Sequence, residues 1–365
     1  MFDLTKISLL TVALAGGVQG GKHAPKTAVA LDVKLSLGRP VQVDRITIIP
    51  IESTVPLARD QYLTLAEATK FGMVEIVEVP GQEQVNSLEV RNKGKLPILL
   101  FAGELLLGGK QDRIVAKDSI VPAHDRRDVP VFCVEHGRWD GKPAFQSGDT
   151  LVTDEVRSVA LSSQDQGQVW AKVADSNARV AASPATGTFR GTLNSPKTRA
   201  ESTKALLGLN SRFVATSRTV GVICCINGKI ESADIYANPS LFNQSRSKLF
   251  HSYALDAAMA SKGKSSPADM KKCSAFLAQI VTAKRQKSDS SGYGNTYLIS
   301  NGALQGYEAG NTRFAGGIVG GSSSTGTVTI SAGKSSKAGS GRSAGAGEGG
   351  FSHGTYKPKS DKGGG

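Results

Sequence analysis

The chain of 365 residues contains few aromatic side chains and no long apolar run. Aromatic residues make up 6% of the sequence and hydrophobic residues 39%. A membrane-spanning helix needs about 18 or more consecutive apolar residues. The composition therefore excludes helical membrane spans, while it is sufficient for a globular core.

Cysteine is also scarce, and its spacing excludes several kinds of site. The four cysteines are Cys133, Cys224, Cys225 and Cys273, and no CxxC motif is present. This argues against a zinc knuckle, a thioredoxin-type motif and a disulfide scaffold. Cys224 and Cys225 are adjacent in a strand-like stretch, so we expect their side chains to point to opposite faces of a sheet.

Metal and nucleotide signatures are missing as well. The chain has five histidines, and none of them forms the HxH or HxxxH spacing of a metal site. Residues 16–22 fit GxxxxGK, but His23 follows where a phosphate-binding loop needs Ser or Thr to hold Mg²⁺. We therefore predict no metal and no cofactor.

The sequence does carry an excess of positive charge. There are 44 basic and 31 acidic residues, which give a formal net charge of +13. Such a balance favours anionic partners, namely nucleic acid, anionic lipid or a phosphate-bearing ligand. No basic run is interleaved with aromatic residues, so we do not expect a dedicated nucleic-acid-binding protein.

Both ends of the chain differ from its body. Residues 1–30 contain an apolar run over residues 7–15, which ends in Ala-Leu-Ala at residues 13–15, a pattern typical of a signal-peptidase site. We expect an exported protein, periplasmic or extracellular; the alternative is a cytoplasmic protein without a cleaved leader. Residues 322–365 are rich in Gly, Ser and Lys, and this composition predicts a disordered tail.

The body of the chain, residues 41–310, is predicted to be a single α+β domain. Many short alternating strands lie between residues 41 and 134, separated by turn residues, which is typical of an antiparallel sandwich- or barrel-like sheet. We also expect hairpins at residues 87–101, around Asn227-Gly228 and at residues 293–309.

A short helix is predicted within the first half, because Thr64 and Glu67 have the spacing of a capping box. After Trp139, helices and hairpins are mixed. Further helices are predicted at residues 154–160, 166–175, 195–207, 240–259 and 267–284.

Two short segments concentrate polar side chains. Residues 103–113 and 131–139 lie on neighbouring predicted strands, so the two segments meet at one end of the sheet if those strands pair. The candidate ligand-binding residues are Lys110, Gln111, Arg113, Arg138 and Trp139, since such groups receive phosphates and carboxylates. The candidate acid–base groups are Glu104, Glu135 and His136. The alternative is a set of surface ion pairs, a structural histidine and a packing tryptophan.

These segments also carry a family resemblance. Residues 62–139 resemble the ARG and Rhodanese-Phosphatase-superfamily-associated protein domain, where ARG stands for ADP-ribosylglycohydrolase. The matching motifs are Gly103-Glu104, Gly109-Lys110-Gln111, Arg113, and the Cys-Val-Glu-His-Gly-Arg-Trp of residues 133–139. Weaker similarity extends over residues 41–310. The resemblance implies a role near ADP-ribose or NAD metabolism and no established reaction.

Three functions follow from these observations. The first is a ligand-binding or accessory domain for a phosphate-containing small molecule such as an ADP-ribose derivative. The second is a hydrolase that uses Glu104 or Glu135 as acid or base, with Arg113 and Arg138 as anion clamps. The third is an exported structural or surface protein whose basic tail contacts polyanions.

Overall fold

The computed structural model describes residues 35–54, 61–79, 86–163, 165–236, 238–261, 263, 265–288, 295–301, 304–310 and 325–332. The predicted leader over residues 1–30 lies outside the described residues. So does the predicted tail, apart from residues 325–332. No helix of the described segments is long and apolar enough to cross a membrane.

The fold is α+β, with an antiparallel β-rich first half. This half, up to residue 151, consists of β1 (Leu35–Leu37), β2 (Val41–Val43), β3 (Ile46–Ser53), β4 (Leu63–Thr64), α1 (Leu65–Lys70), β5 (Val74–Glu78), β6 (Ser87–Asn92), β7 (Ile98–Leu100), β8 (Glu104–Gly108), β9 (Arg113–Val115), β10 (Ser119–Val121), β11 (Arg126–Cys133) and β12 (Phe145–Leu151). The capping box of Thr64 and Glu67 starts α1 as predicted.

Helices and hairpins follow in the second half, as the sequence predicts. They are α2 (Asp154–Ser163), α3 (Gln166–Arg179), α4 (Arg190–Asn194), α5 (Pro196–Arg212), β13 (Thr219–Ile226), β14 (Lys229–Tyr236), α6 (Pro239–Met259), α7 (Met270–Thr282), β15 (Lys284–Ser288), β16 (Asn295–Asn301), β17 (Leu304–Gly310) and β18 (Thr325–Ala332). The predicted hairpins β13–β14 and β16–β17 are both present and antiparallel.

Six strands of the first half form a curled sheet in the order β12-β8-β9-β11-β6-β5. The two edges approach each other, because an isolated bridge joins Val77 at the β5 edge to Ala144 just before β12. The sheet is therefore barrel-like, as expected. Its concave side holds an apolar cluster that includes Leu106, Val115 and Val131.

The predicted hairpin at residues 87–101 is wrong. β6 pairs with β5 and β11, whereas β7 pairs with β10 and β4 in a separate three-stranded sheet. Asn92 explains the break, because its side-chain amide donates to the carbonyl oxygens of Leu96, Val121 and Pro122. These bonds turn the chain out of one sheet and into the other.

The second large sheet has nine strands in the order β1-β3-β13-β14-β18-β17-β16-β15, with β2 also paired to β3. β18 falls within the segment predicted to be disordered and lies between β14 and β17. The sequence Thr-Gly-Thr-Val-Thr-Ile-Ser-Ala of this strand contains four consecutive β-branched residues, Thr327–Ile330, which favours pairing into a sheet. Thr325–Ala332 is the described part of the predicted tail, and it forms a strand.

Helices cover this sheet on both faces. One face packs against α5 and α6 through a cluster that includes Val222 and Cys224. The other face packs against α7 through Ile223, Cys225 and Cys273. Cys224 and Cys225 thus point to opposite faces, as predicted. A further cluster joins the convex side of the six-stranded sheet to α2 and α3.

Candidate functional site

The two polar segments singled out in the sequence meet at one end of the six-stranded sheet. β9 pairs with β11, and Arg113 lies opposite Cys133 in the register. The turn between β8 and β9 and the segment after β11 therefore lie side by side. This juxtaposition is the one expected if the strands pair.

Arg138 and Glu135 form the centre of this region. Nη2 and Nε of Arg138 donate to Oε2 of Glu135 at 2.7 and 3.0 Å, and Nη1 donates to the carbonyl oxygens of Gly109 and Asp140 at 2.7 and 2.8 Å. Burial acts to raise the pKa of Glu135, but hydrogen bonds from Arg138, the Asp112 N–H and Thr186 outweigh it and lower this pKa. Every nitrogen of the Arg138 guanidinium is thus bonded within the protein.

Asp112 extends this arrangement, and the sequence analysis did not select it. Its carboxylate is 1% exposed and receives Nε and Nη2 of Arg190 at 2.6 and 2.7 Å, a bidentate pair. We call Asp112, Glu135, Arg138 and Arg190 the carboxylate–arginine cluster. It holds two carboxylates and two guanidinium groups, so its formal charges balance. Arg190 lies 78 residues from Asp112, and no local sequence pattern pointed to it.

Arg113 differs from the arginines of this cluster. Its side chain is 1% exposed, and its Nη1 donates to the backbone oxygen and to Oε1 of Gln111 at 2.8 and 3.3 Å. Its Nε is buried without an acceptor, and no carboxylate of the described residues forms an ion pair with it. The register places Arg113 on the same face as Leu106 and Cys133, at the end of the concave apolar interior.

Lys110, Trp139 and His136 lie at the rim of the same region. Lys110 is exposed, and its backbone N–H donates to Glu78 at 3.1 Å. The Trp139 side chain is 59% exposed, and the following Gly141 approaches Gly109 so closely that a Cβ on it would lie 2.1 Å from the Gly109 oxygen. The rim is therefore formed by two backbone segments in direct contact.

His136 is also exposed, but it faces α3. Its ring meets the Trp170 ring edge-on with centroids 4.5 Å apart, and its backbone oxygen accepts from the side-chain amide of Gln111 at 3.2 Å. His136 thus connects the buried Gln111 to α3.

Glu104 lies at the opposite end of β8 and does not join the other candidates. It is fully buried, and its Oε1 accepts from Nζ of Lys248 on α6 at 2.6 Å. Its Oε2 accepts from the backbone N–H of Phe101 at 3.0 Å. The two candidate acid–base carboxylates, Glu104 and Glu135, are therefore held in separate networks.

A second buried ionic network was not foreseen. Arg157 of α2 is 2% exposed and donates bidentately to Asp234 of β14 at 2.9 and 3.2 Å. Tyr253 of α6 also donates to Asp234. Gly103 allows this packing, since a Cβ at its φ of +81° would lie 3.0 Å from the Arg157 side chain. The network joins helices α2 and α6 to the nine-stranded sheet.

Two carboxyl groups around this network have raised pKa values. Burial raises the pKa of Asp118 to about 7, against the opposing effects of the Ala102 N–H and Arg157. Burial and the neighbouring Asp154 raise the pKa of Asp256 well above its ordinary range.

The described residues offer no group of three or more His, Cys, Asp and Glu side chains placed to hold a metal ion. A cavity of about 470 Å³ lies elsewhere, between β2 and helices α5 and α6. Its charged side chains are paired, Arg45 with Glu201 and Lys204 with Asp44, each at 3.1 Å. The predicted site residues do not line this cavity.

The comparison with protein families agrees with the resemblance carried by these segments. The family model of the ARG and Rhodanese-Phosphatase-superfamily-associated Protein domain matches residues 34–323. The chain belongs to this family. No curated protein matches the chain, and no solved structure matches it. The match covers the six-stranded sheet, both ionic networks and helices α1–α7, and the family's description is that of a domain associated with other superfamilies.

Proposed function

We propose that the chain is an accessory domain that binds a small phosphate-bearing anion, with the Arg113 guanidinium as its counter-charge. The single observation that carries this proposal is that Arg113, a fully buried arginine, pairs with no carboxylate of the described residues. Arg138, Arg157 and Arg190 each pair with a carboxylate. Arg113 is as deeply buried as Arg157, yet among the described residues Gln111 is its only hydrogen-bond partner.

An unpaired buried charge is unfavourable, which is the physical reason to expect an anion. Transfer of an ionised group out of water costs several kcal/mol unless an opposite charge and hydrogen bonds compensate. A guanidinium matches the geometry of phosphate oxygens and binds them through two parallel bonds. Arg113 offers the N–H of its free Nε to a phosphate oxygen, and the side-chain amide of Gln111 lies beside it.

The rim above Arg113 supports the same class of ligand. Lys110 adds an exposed positive charge, and Trp139 adds an exposed aromatic ring. Aromatic faces stack on nucleobases and the ammonium group attracts phosphates. An ADP-ribose derivative carries both a nucleobase and phosphates. ADP-ribosylglycohydrolases give the family part of its name. Arg138 contributes by fixing the turn, because its nitrogens are already bonded.

Binding without catalysis is favoured by the state of the carboxylates. A general acid or base near neutral pH needs a pKa close to the working pH and access to the substrate. The pKa of Glu135 is lowered, and both of its oxygens accept bonds from Arg138, Thr186 or the Asp112 N–H. Glu104 is buried against Lys248. The hydrolase alternative therefore has no free carboxylate among these candidates.

The test measures binding and stability together. The probes are inorganic phosphate and ADP-ribose, added to the full chain in thermal-shift titrations, where a ligand of the folded state raises Tm by mass action. Arg113→Gln replaces the charged guanidinium with a neutral amide. We expect its affinity for the probe to fall about 10- to 100-fold, since hydrogen bonds to charged groups contribute about 1.5–3 kcal/mol.

Arg126→Gln is the matched control. Arg126 is 72% exposed and lies 3.5 Å from Glu89, so its loss changes the net charge equally without touching the proposed site. The control should bind the probe as the wild type does. Equal affinity of the wild type and Arg113→Gln, or a wild-type Tm that neither probe moves at millimolar concentration, would contradict the proposal.

A further inference from the structure

Two buried cysteines from distant parts of the chain lie in contact. The Sγ atoms of Cys225 on β13 and Cys273 on α7 are 3.8 Å apart, and both side chains are fully buried. The residues are 48 positions apart in sequence. A disulfide bond requires about 2.0 Å between the sulfur atoms. The two side chains would therefore have to rotate slightly to bring the sulfur atoms within bonding distance.

The two thiols are chemically unequal. The hydrogen bond with Cys225 lowers the pKa of the Cys273 thiol, against the opposing effects of burial and Asp269. The same hydrogen bond, together with burial, raises the pKa of Cys225. The thiolate is the nucleophile in thiol–disulfide exchange, and this difference in pKa favours Cys273 as the attacking group.

The position of Cys273 gives it a route to solvent. It lies in the first turn of α7, whose N-terminal residues Lys271 and Lys272 are exposed. Helix ends open at low free-energy cost compared with global unfolding. Opening of this turn exposes Cys273 while β13, at the centre of the sheet between β3 and β14, stays in place.

We infer that Cys225 and Cys273 are a redox-active pair, which a small-molecule disulfide converts to an intramolecular disulfide that ties α7 to β13. The Cys273 thiolate attacks one sulfur of the oxidant, forms a mixed disulfide and releases one thiolate. The Cys225 sulfur then attacks the Cys273 sulfur, its proton passes to the solvent or the leaving group, and a second thiolate leaves. The pair loses two electrons and two protons, and the oxidant is reduced to two thiols.

The other two cysteines provide internal controls. Cys224 is the neighbour of Cys225 in sequence but packs on the opposite face of β13, in the cluster with α5 and α6. Cys133 lies at the end of β11, and burial raises the pKa of its thiol. Neither is in contact with another thiol in the described structure.

The experiment exposes the reduced full chain to glutathione disulfide until the number of free thiols is constant. We expect the thiol count to fall from four to two, the mass to fall by two hydrogen atoms, and proteolytic mapping to find one peptide pair joined through Cys225 and Cys273. A cross-link closing a loop of this length stabilises mainly by restricting the unfolded chain. The oxidised protein should therefore melt several degrees higher.

Cysteine variants test whether Cys225 and Cys273 form the disulfide. Cys224→Ser and Cys133→Ser should oxidise as the wild type does, whereas Cys273→Ser should keep all of its remaining thiols. Cys225→Ala, a conservative replacement at the buried strand position, should stop at the mixed disulfide on Cys273. Four free thiols in the oxidised wild type, or a cross-link that survives in Cys273→Ser, would overturn the inference.

Discussion

The bidentate pair between Arg157 and Asp234 should be among the most sensitive points of the fold. Both side chains are 2% exposed, and Tyr253 supplies a further hydrogen bond to the same carboxylate. Replacement of Arg157 by Met keeps much of the apolar stem and removes the charge. Asp234 then remains as a buried carboxylate that has lost its guanidinium partner and still accepts from the Tyr253 hydroxyl.

The size of the effect follows from this stranded charge. Removal of one partner of a buried ion pair costs about 3–5 kcal/mol. One kcal/mol corresponds to about 2–4 °C in a domain of this size, so Tm should fall by about 6–20 °C. Urea and thermal unfolding at pH 7 measure both quantities.

Two comparison variants separate the charge from the loss of packing. The double variant Arg157→Met with Asp234→Asn should recover much of the stability, since neither charge remains. Arg218→Met removes an exposed arginine that pairs with Glu52 at 3.0 Å and should cost less than about 1 kcal/mol. A loss of less than 1 kcal/mol for Arg157→Met, or no recovery in the double variant, would refute the reasoning.

Three further predictions test other parts of the structure. The folded-state pKa of Asp118, about 7, exceeds the value of about 3.9 for an unfolded aspartate. The stability that Asp118 contributes, relative to Asp118→Asn, is therefore fully present below about pH 4 and is lost as the pH rises towards 7. Urea unfolding midpoints of both proteins across this pH range measure the difference. Gly109→Ala should destabilise the fold by about 2–4 kcal/mol, because φ is +55° and a Cβ would lie 2.0 Å from the Phe145 ring. The control is Gly72→Ala, where φ is +64° and no atom lies within 4 Å of the added Cβ. It should cost only about 1–2 kcal/mol of backbone strain. Deletion of residues 334–365 should leave Tm unchanged, whereas deletion of residues 322–365 should lower it, because β18 pairs with two strands; equal Tm values for the two truncations would contradict the placement of β18.

Local patterns accounted for the elements that depend on neighbouring residues. The Thr64 capping box satisfies N–H groups within one helical turn, and Asn227-Gly228 supplies the positive φ values of a tight hairpin. Alternation along a strand placed Cys224 and Cys225 on opposite faces. Each of these features is determined within a few residues, so the sequence is sufficient to predict it.

Contacts with distant residues explain the features that local patterns did not predict. The turn at residues 92–95 looked like a hairpin, but the Asn92 side chain bonds three carbonyl oxygens, two of them from residues about 30 positions later. The Thr-rich strand at Thr325–Ala332 lies in a Gly/Ser-rich segment whose average composition indicates disorder. Its pairing depends on β14, about 90 residues earlier in the chain.

By itself, the sequence determined the α+β class, the family, the helix starts and the meeting of the two polar segments at one end of the sheet. Only the tertiary structure decided which charges neutralise each other. Asp112 meets Arg190, Arg157 meets Asp234 and Glu104 meets Lys248 across 77 to 144 residues. Hydrogen bonds and ion pairs act over a few ångströms, so the fold selects these partners, and the same selection leaves Arg113 without a carboxylate among the residues that the structure describes.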